Sequence, residues 1–263
     1  MEIIIKNNYS EISIEASGIV ANQIKSKPNT VLGLATGSTP LGLYKELIRL
    51  HINEGLDFSK VISFNLDEYI GLSKDHPQSY NYFMYHNFFK KVNIPANNIH
   101  IPNGISVKQL EYCEQYESLI KNSGGIDLQI LGIGRDGHIA FNEPSSSLSS
   151  RTRIKTLTQK TIKDNSRFFK NISDVPRFAI TMGVGTIMEA KKIILLASGS
   201  SKAEPIAQSV EGPITSMHSA SAIQLHPNTT IVVDRQASKE LKEKKYYNWV
   251  YKNKNVIYNQ SYN

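Results

Sequence analysis

Short apolar runs alternate along the chain with longer segments in which apolar residues recur every three or four positions. The short runs are typical of strands buried in a parallel sheet, and the periodic segments are typical of amphipathic helices. Strands are predicted at residues 3–5, 31–35, 61–66, 126–131, 178–181, 193–197 and 231–233. Helices are predicted at 9–26, 44–51, 75–90, 107–121 and 184–190, after residue 202 and in the lysine-rich C-terminal remainder. This alternation predicts an α/β fold with one doubly wound sheet.

Two segments carry less regular patterns. Within residues 75–90, the side chains of Tyr82, Phe83, His86 and Phe89 lie near helical spacing. This spacing favours a helix that faces the core over an aromatic cofactor site. Residues 95–102 begin and end with proline, and an irregular connection is predicted there.

The strand predicted at 126–131 runs into a glycine-rich turn that carries Asp136, His138 and Glu143. A neighbouring carboxylate orients a histidine ring and holds up its proton affinity, and open α/β sheets carry their chemistry at the carboxyl ends of strands. The turn is therefore a candidate acid/base site. The alternative is a structural turn that caps the next element, with His138 hydrogen-bonded to the backbone.

Two other strand ends carry candidate residues. After the strand at 31–35, residues 36–40 combine glycine, serine and two threonines just before a helix. Such a loop is either an anion cradle, made of N–H groups, hydroxyls and the helix dipole, or a plain strand–helix turn. It lacks the ending of a Walker P-loop and the Rossmann glycine pattern. Asp67 and Glu68 follow the strand at 61–66, so one is a candidate general base while the other faces solvent or caps a turn.

The polar segments after the central turn offer further candidates. Residues 145–156 are either a surface loop or a second anion site, because the basic residues Arg151, Arg153 and Lys155 stand among hydroxyls. Residues 157–175 are polar with two phenylalanines embedded, as in a segment that opens and closes over a site. Residues 199–202 form a second small-residue loop, which ends in a lysine before a helix.

Charge and cysteine content restrict the functional classes. The 263 residues carry a formal net charge of +7, which suits nucleic acid or anionic small molecules such as sugar phosphates. The basic residues are dispersed apart from a cluster at 239–245, so no nucleic-acid partner is expected. The single cysteine, Cys113, excludes an intrachain disulfide and suits a reducing compartment. The sequence shows no membrane span and no secretory signal, so a cytoplasmic protein without a membrane partner is predicted.

Taken together, seven segments resemble the glucosamine-6-phosphate deaminase family over nearly the whole chain. They are GLATGSTP (33–40), FNLDEY (64–69), GRDGHIAFNEP (134–144), SSRTRIKT (149–156), SRFF (166–169), MGVGT (182–186) and LHP (225–227). The resemblance implies a hydrolase that converts glucosamine 6-phosphate and water to fructose 6-phosphate and ammonia, with no metal and no organic cofactor. It also implies a single Rossmann-like domain over residues 1–263, with helices on both faces of a mostly parallel sheet and a mobile lid at about 157–175.

The resemblance also implies roles for individual residues. Asp67 matches the base that removes the proton at sugar C2. His138 matches the group that opens the pyranose ring, with Asp136 and Glu143 as its acid/base partners. The positions that match the phosphate site are Gly37, Ser38, Thr39, Arg167 and Lys202.

Some members of the family are hexamers that N-acetylglucosamine 6-phosphate activates at subunit interfaces. A homo-oligomer is therefore expected here, with a hexamer favoured and this acetylated sugar phosphate as a possible activator. The positions that match the activator site are Met1, Ser146, Arg153 and Lys155. The chain departs from the family at Ala35 and Ser38, where other members can carry proline and glycine, and at Glu2 and Ile3, which replace a basic start.

Two rival functions stand beside the deaminase. One is a 6-phosphogluconolactonase or phosphosugar isomerase on the same fold, but a lactonase has no use for a base at sugar C2. The other is a non-catalytic sugar-phosphate sensor, which would be expected to keep the anion loop and lose the acid/base groups. Both the loop and the acid/base groups are present, so the sequence favours the deaminase.

Overall fold

The computed structural model describes the backbone of residues 1–260 and the side chains of residues 1–254. Its strands are β1 (Glu2–Lys6), β2 (Val31–Leu34), β3 (Ile62–Asn65), β4 (Asp67–Tyr69), β5 (Ile99–His100), β6 (Leu128–Leu131), β7 (Arg153–Thr156), β8 (Phe178–Thr181), β9 (Ile193–Ala197) and β10 (Thr229–Asp234). Its helices are α1 (Tyr9–Ser26), α2 (Leu41–Glu54), α3 (Tyr80–Asn87), α4 (Gln109–Asn122), α5 (Gln159–Asn165), α6 (Val184–Met188), α7 (Ala203–Glu211) and α8 (Lys244–Gln260). No helix in this part of the chain has both the length and the apolar character of a membrane span.

The main sheet is parallel and has the strand order β1-β10-β9-β6-β2-β3-β5. Successive side chains of its strands enter different cores, because side chains alternate across a strand. Ile3 and Ile231 pack on one face with residues of α4, α6 and α7, whereas Ile4 and Val232 pack on the other with α1, α2 and α3. The mostly parallel sheet with helices on both faces is therefore confirmed.

A second, smaller sheet is antiparallel and has the order β4-β8-β7. The strand predicted at 178–181 exists, but as β8 it belongs to this sheet rather than to the main one. The sequence pattern did not indicate β7, because the side chains of this strand are only partly buried or exposed and are mostly polar. The connection predicted at 95–102 contains the two-residue strand β5, which pairs with β3 at the edge of the main sheet.

Helix α3 is shorter than predicted, and its orientation differs from the prediction. Met84 and Phe88 point into the core, since both are buried. Tyr82 and His86 are exposed and stack on each other with ring centroids 5.7 Å apart. The prediction that these two side chains face the core is wrong, because the neighbouring pair four residues apart occupies the inward face.

Asp127 joins three parts of the chain at the amino-terminal end of β6. Its carboxylate is buried and accepts hydrogen bonds from Lys27 Nζ at 2.6 Å, Lys191 Nζ at 2.7 Å and the N–H of Val31 at 2.9 Å. Burial opposes the charge of Asp127, but the two lysines and the N–H group outweigh it and lower its pKa to about 2. The carboxylate therefore stabilises the fold in its ionised form.

Replacement of Asp127 with asparagine is expected to lower the free energy of unfolding by about 1–3 kcal/mol at pH 7, since the buried N–H loses a charged acceptor. The folded pKa lies below the unfolded value of about 4, so this contribution is present above about pH 4 and is lost as the pH falls towards 2. Urea unfolding at pH 7 and pH 3 measures the effect, with the exposed Glu114→Gln as control. An equal destabilisation at both pH values would contradict the assignment.

Candidate active site

A cavity of about 500 Å³ opens at the carboxyl edge of the main sheet. Its walls are the residues that directly follow β2, β3, β6 and β9, together with residues of α5. Because neighbouring parallel strands end at the same edge, segments that are distant in the chain meet here. The predicted site residues that line the cavity are Gly37, Ser38, Thr39, Asp67, His138, Arg167 and Lys202.

The carboxylate of Asp67 faces this cavity without a hydrogen-bond donor among the described residues. Only 6% of the residue is exposed. Burial raises the pKa of Asp67 to about 8, the adjacent charge of Glu68 adds to the effect, and His138 opposes it. A buried carboxylate with high proton affinity and no partner is suited to act as a general base.

The adjacent Glu68 has a different role, although its carboxylate is also buried. Its oxygens accept hydrogen bonds from the N–H groups of Tyr69 at 2.9 Å, Tyr80 at 2.9 Å and Asn81 at 2.8 Å. Two of these donors are the first N–H groups of α3, which have no partner within the helix. Glu68 therefore caps α3, and of the two adjacent carboxylates only Asp67 is available to a ligand.

His138 lies between two carboxylates. Its Nδ1 is 2.6 Å from Oδ1 of Asp136 and 3.5 Å from Oε2 of Glu143. The contact with Asp136 is thus a close ion pair, and Glu143 adds a second, longer one. Burial opposes a positive charge on the ring, but the two carboxylates outweigh it and raise the pKa of His138 to about 9. The structure thus brings all three predicted groups together.

The turn that holds these groups depends on glycine. The N–H of Gly134 donates to the carbonyl oxygen of His138 at 2.8 Å, which closes the turn. Gly137 has φ +81°, a left-handed conformation that disfavours side chains. A Cβ atom on Gly134 would lie only 2.4 Å from the His138 ring. Glycine at position 134 therefore leaves room for the His138 ring, and glycine at position 137 allows the turn conformation.

Asp136, His138 and Glu143 are also the one cluster of potential metal ligands within the described residues, with ligand atoms within 4.8 Å of one another. Two ligands of a tetrahedral zinc ion stand about 3.3 Å apart, because each bond is about 2 Å long. The 2.6 Å contact between Nδ1 and Asp136 is shorter than that. The spacing is that of an ion pair rather than of a metal site.

The loop after β2 presents unoccupied N–H groups to the cavity. Among the described residues, no group accepts a hydrogen bond from the N–H of Gly37, Ser38 or Thr39. Gly37 has φ +97°, so the turn relies on glycine. The hydroxyl of Tyr9 lies 3.0 Å from the carbonyl oxygens of Ser38 and Thr39 and accepts the N–H of Gly42 at 2.7 Å. Tyr9 therefore holds the carbonyls outward, which leaves the N–H groups for an anion.

Four cationic side chains line the cavity, namely Arg135, Lys163, Arg167 and Lys202, and the charges of Arg135 and Arg167 both act on Lys202. Lys202 Nζ donates to the carbonyl oxygen of Ile133 at 2.5 Å. Burial, and then the charge of Arg135, lowers the pKa of Lys202 to about 8. Arg167 is exposed, and its guanidinium lies 4.7 Å from the centroid of the Phe168 ring. Together with the loop after β2, these groups form a positively charged pocket.

The residues predicted for an activator site do not line the cavity. Ser146 is buried, and its hydroxyl has no partner among the described residues. Arg153 and Lys155 lie on β7, at the edge of the small sheet, whereas Met1 precedes β1 at the edge of the main sheet. Arg153 donates to Oδ1 of Asn142 at 2.9 Å, which connects β7 to the turn that carries His138.

Arg151 was a candidate anion-binding residue on sequence grounds. Its guanidinium instead forms ion pairs with Glu117 and Glu189, each with a shortest distance of 2.6 Å. Two carboxylates already compensate this charge, which favours the alternative that Arg151 belongs to a structural surface loop.

Sequence reasoning missed Tyr9, Tyr80, Arg135 and Asp164. The last three line the cavity, and Tyr9 supports the loop after β2. Arg135 carried a signal, since it stands inside the central turn, and Asp164 stands inside the predicted lid. Tyr9 and Tyr80 carried none, because each lies at the start of a helix whose pattern shows only a buried face.

These features define an α/β protein in which a loop with free N–H groups, a buried carboxylate and an ion-paired histidine share one cavity at the carboxyl edge of a parallel sheet. A family model described as glucosamine-6-phosphate isomerases/6-phosphogluconolactonase matches residues 12–232. The chain belongs to this family. A glucosamine-6-phosphate deaminase of Thermoanaerobacter pseudethanolicus is 59% identical over 238 residues, which cover 90% of this chain and 94% of the relative.

Solved structures agree with this assignment. The structure of a monomeric glucosamine-6-phosphate deaminase superposes with a TM-score of 0.90 at 45% identity, and the match covers 91% of this chain and 100% of that one. A 6-phosphogluconolactonase from Trypanosoma brucei gives a TM-score of 0.73 at 18% identity over 91% of this chain and 98% of its own. The second likeness shows the fold alone.

Proposed function

We propose that this protein is a glucosamine-6-phosphate deaminase, which converts glucosamine 6-phosphate and water to fructose 6-phosphate and ammonia. The observation that carries the proposal is one cavity in which an anion-binding loop, a buried carboxylate without a partner and an ion-paired histidine meet. The names of the relatives that are 45% and 59% identical support it.

In this proposal the positively charged end of the cavity binds the phosphate. The free N–H groups of Gly37, Ser38 and Thr39 donate to its oxygens, as backbone amides do in other anion sites. Lys202 adds a point charge and Arg167 a bidentate fork. The phosphate thereby fixes the sugar, so that its C1 and C2 atoms lie towards the other end, where the acid/base groups are.

His138 would open the pyranose ring by moving a proton between O1 and O5. Asp136 and Glu143 keep its imidazole charged near neutral pH, so a proton is available for O5 as the ring bond breaks. The carboxylates then stabilise the imidazolium whenever the ring regains a proton.

Asp67 would then take the proton from C2, and the same proton equivalent returns at C1 to complete the isomerisation. The nitrogen at C2 becomes an iminium, which water attacks, and ammonia leaves as the C2 ketone forms. The C1 carbonyl accepts the electron pair when C2 loses its proton, and the C2 iminium accepts the pair that the attacking water brings, so these residues account for the reaction without a cofactor.

A 6-phosphogluconolactonase is the second candidate, because that enzyme shares the fold. Lactone hydrolysis removes no proton from C2, so it gives no role to the cavity-facing carboxylate of Asp67. The structure therefore favours the deaminase.

The proposal includes a single domain with a lid and a regulatory site. Residues 157–175 would form the lid, since α5 lies over the cavity and Thr158 donates its N–H to Glu143 at 3.1 Å. Ser146, Arg153 and Lys155, with Met1 of a neighbouring copy in a homo-oligomer, would bind N-acetylglucosamine 6-phosphate. The protein would act in the cytoplasm.

The test is ammonia release from glucosamine 6-phosphate across substrate concentration, with and without N-acetylglucosamine 6-phosphate. Release that follows a sigmoidal curve, made hyperbolic by the acetylated sugar, would support a regulated oligomer. A hyperbolic curve in both conditions would support the deaminase reaction and contradict the regulatory site. No release from folded protein, together with hydrolysis of 6-phosphogluconolactone, would replace the deaminase by the lactonase.

Replacement of Lys202 with alanine is expected to raise KM about tenfold or more and to change kcat less, because it removes a charge that binds the phosphate before and during reaction. The pKa of about 8 predicts that KM of the unaltered enzyme rises as the pH increases through 8, since the lysine loses its charge. Steady-state kinetics between pH 7 and 9 measures both effects. An unchanged KM in the variant would exclude Lys202 from the phosphate site.

A further inference from the structure

Two charged residues of the cavity wall, Arg135 and Asp164, have no role in the reaction as described. Arg135 belongs to the turn after β6, and Asp164 belongs to α5. Arg135 Nη1 lies 3.7 Å from Oδ1 of Asp164, with side-chain exposures of 52% and 37%. A pair so long and so exposed contributes little to folding stability. Its position in the cavity therefore calls for a functional explanation.

Both residues lie within electrostatic reach of the phosphate site. After burial, the charge of Arg135 is the largest influence that lowers the pKa of Lys202, while Asp164 opposes it and Arg167 adds to it. Lys202 is thus influenced by two guanidinium groups and by two carboxylates, those of Asp164 and, more weakly, Asp136. A phosphate dianion beside Lys202 would attract Arg135 and repel Asp164.

We infer that Arg135 is a further phosphate-binding residue, whose guanidinium Asp164 holds in the free enzyme until the substrate's phosphate replaces this carboxylate. The inference rests on the proposed function. The exchange is favourable because phosphate bonds a guanidinium through two parallel N–H groups, whereas the contact with Asp164 is a single long one. Asp164 acts as a competing anion, so the pocket selects ligands that carry a dianionic group over neutral sugars.

The test compares Arg135→Ala, Asp164→Asn and the double variant by steady-state kinetics and by the inhibition constant of inorganic phosphate. Arg135→Ala is expected to raise both KM and this constant about tenfold, because a charge-assisted contact is lost. Asp164→Asn is expected to lower both about twofold to fivefold, because the competing anion is removed. In the Arg135→Ala background, Asp164→Asn should lower KM and the inhibition constant by a smaller factor. The reason is that part of its effect comes from the release of Arg135.

The control is Arg49→Ala on α2, which removes an arginine that is also ion-paired and exposed but lies outside the cavity wall. It should leave the inhibition constant unchanged, and thermal unfolding should show that every variant is folded. If the ion pair only holds the turn after β6 against α5, both single replacements should change KM and the inhibition constant in the same direction. Opposite directions support the inference, and any other pattern overturns it.

Failure of the inference can be separated from failure of the proposed function. Ammonia release by the unaltered enzyme decides the function alone. Calorimetric binding of inorganic phosphate to the same variants needs no turnover, so it decides the role of Arg135 alone.

Discussion

Replacement of Asp67 with asparagine is expected to reduce kcat at least about a thousandfold while KM stays within about twofold. An amide of the same size keeps the cavity shape but cannot accept the proton from sugar C2. Ammonia release measures the rate, and incorporation of solvent deuterium at C2 tests the step itself. Both should be lost together. A variant that keeps its rate, or that still exchanges the C2 hydrogen, would show that another group is the base.

The neighbouring Glu68→Gln is the matched control, because Glu68 caps α3 while Asp67 faces the cavity. It should lower the melting temperature and change kcat less than about tenfold.

The pH dependence of the free energy of unfolding gives a second test of Asp67. Its folded pKa of about 8 lies above the unfolded value of about 4, so the unaltered protein loses stability as the pH rises from about 4 to 8. Asp67→Asn lacks this loss and should be the more stable protein at pH 8.

Replacement of Asp136 with asparagine should lower kcat about a hundredfold and move the pKa of His138 down from about 9 towards its ordinary value of about 6.5. The variant removes the carboxylate 2.6 Å from Nδ1 and leaves only Glu143, at 3.5 Å. The ring then loses its proton at neutral pH. Titration of the imidazole signal by NMR measures the shift, and Glu143→Gln, which removes the more distant carboxylate, should shift it less.

The same variant distinguishes ring opening from the later steps. An enzyme that cannot open the pyranose can use only the open-chain sugar that forms spontaneously in solution. Its rate should therefore stop increasing with enzyme concentration once that supply is exhausted. A rate that stays proportional to enzyme concentration would mean that His138 and Asp136 act after ring opening.

Six of the seven strands of the main sheet were predictable, all but β5, because the strands of a buried parallel sheet follow a simple pattern. Its strands are short apolar runs, and its chemistry lies where they end, so Asp67 and the turn with His138 could each be identified as candidates at a strand end. The distinct roles of Asp67 and Glu68 could not be predicted. They depend on α3, whose first N–H groups approach only Glu68.

The small sheet and the contacts across the cavity could not be predicted from the sequence pattern, for a different reason. Strand β7 carries arginine and lysine on a partly buried edge, so it has no apolar period to read. Arg135 meets Asp164 only because the turn after β6 and helix α5 converge in space. The outward face of Tyr82 was mistaken for a core face because spacing defines a stripe of side chains but not which of two adjacent stripes is buried.

The pairing of β1 has a consequence for the order in which the protein forms. This strand lies at the edge of the main sheet and, within the part of the chain that the structure describes, pairs with β10 alone, with Glu2 opposite Thr230. During synthesis, β1 is therefore made long before β10 and must wait for it before it can join the sheet. Until then the apolar side chains of β1 are exposed. The edge of β9 also stays unpaired until β10 binds to it. Such a long-range closure predicts slow folding, with a late step in which β1 and β10 pair.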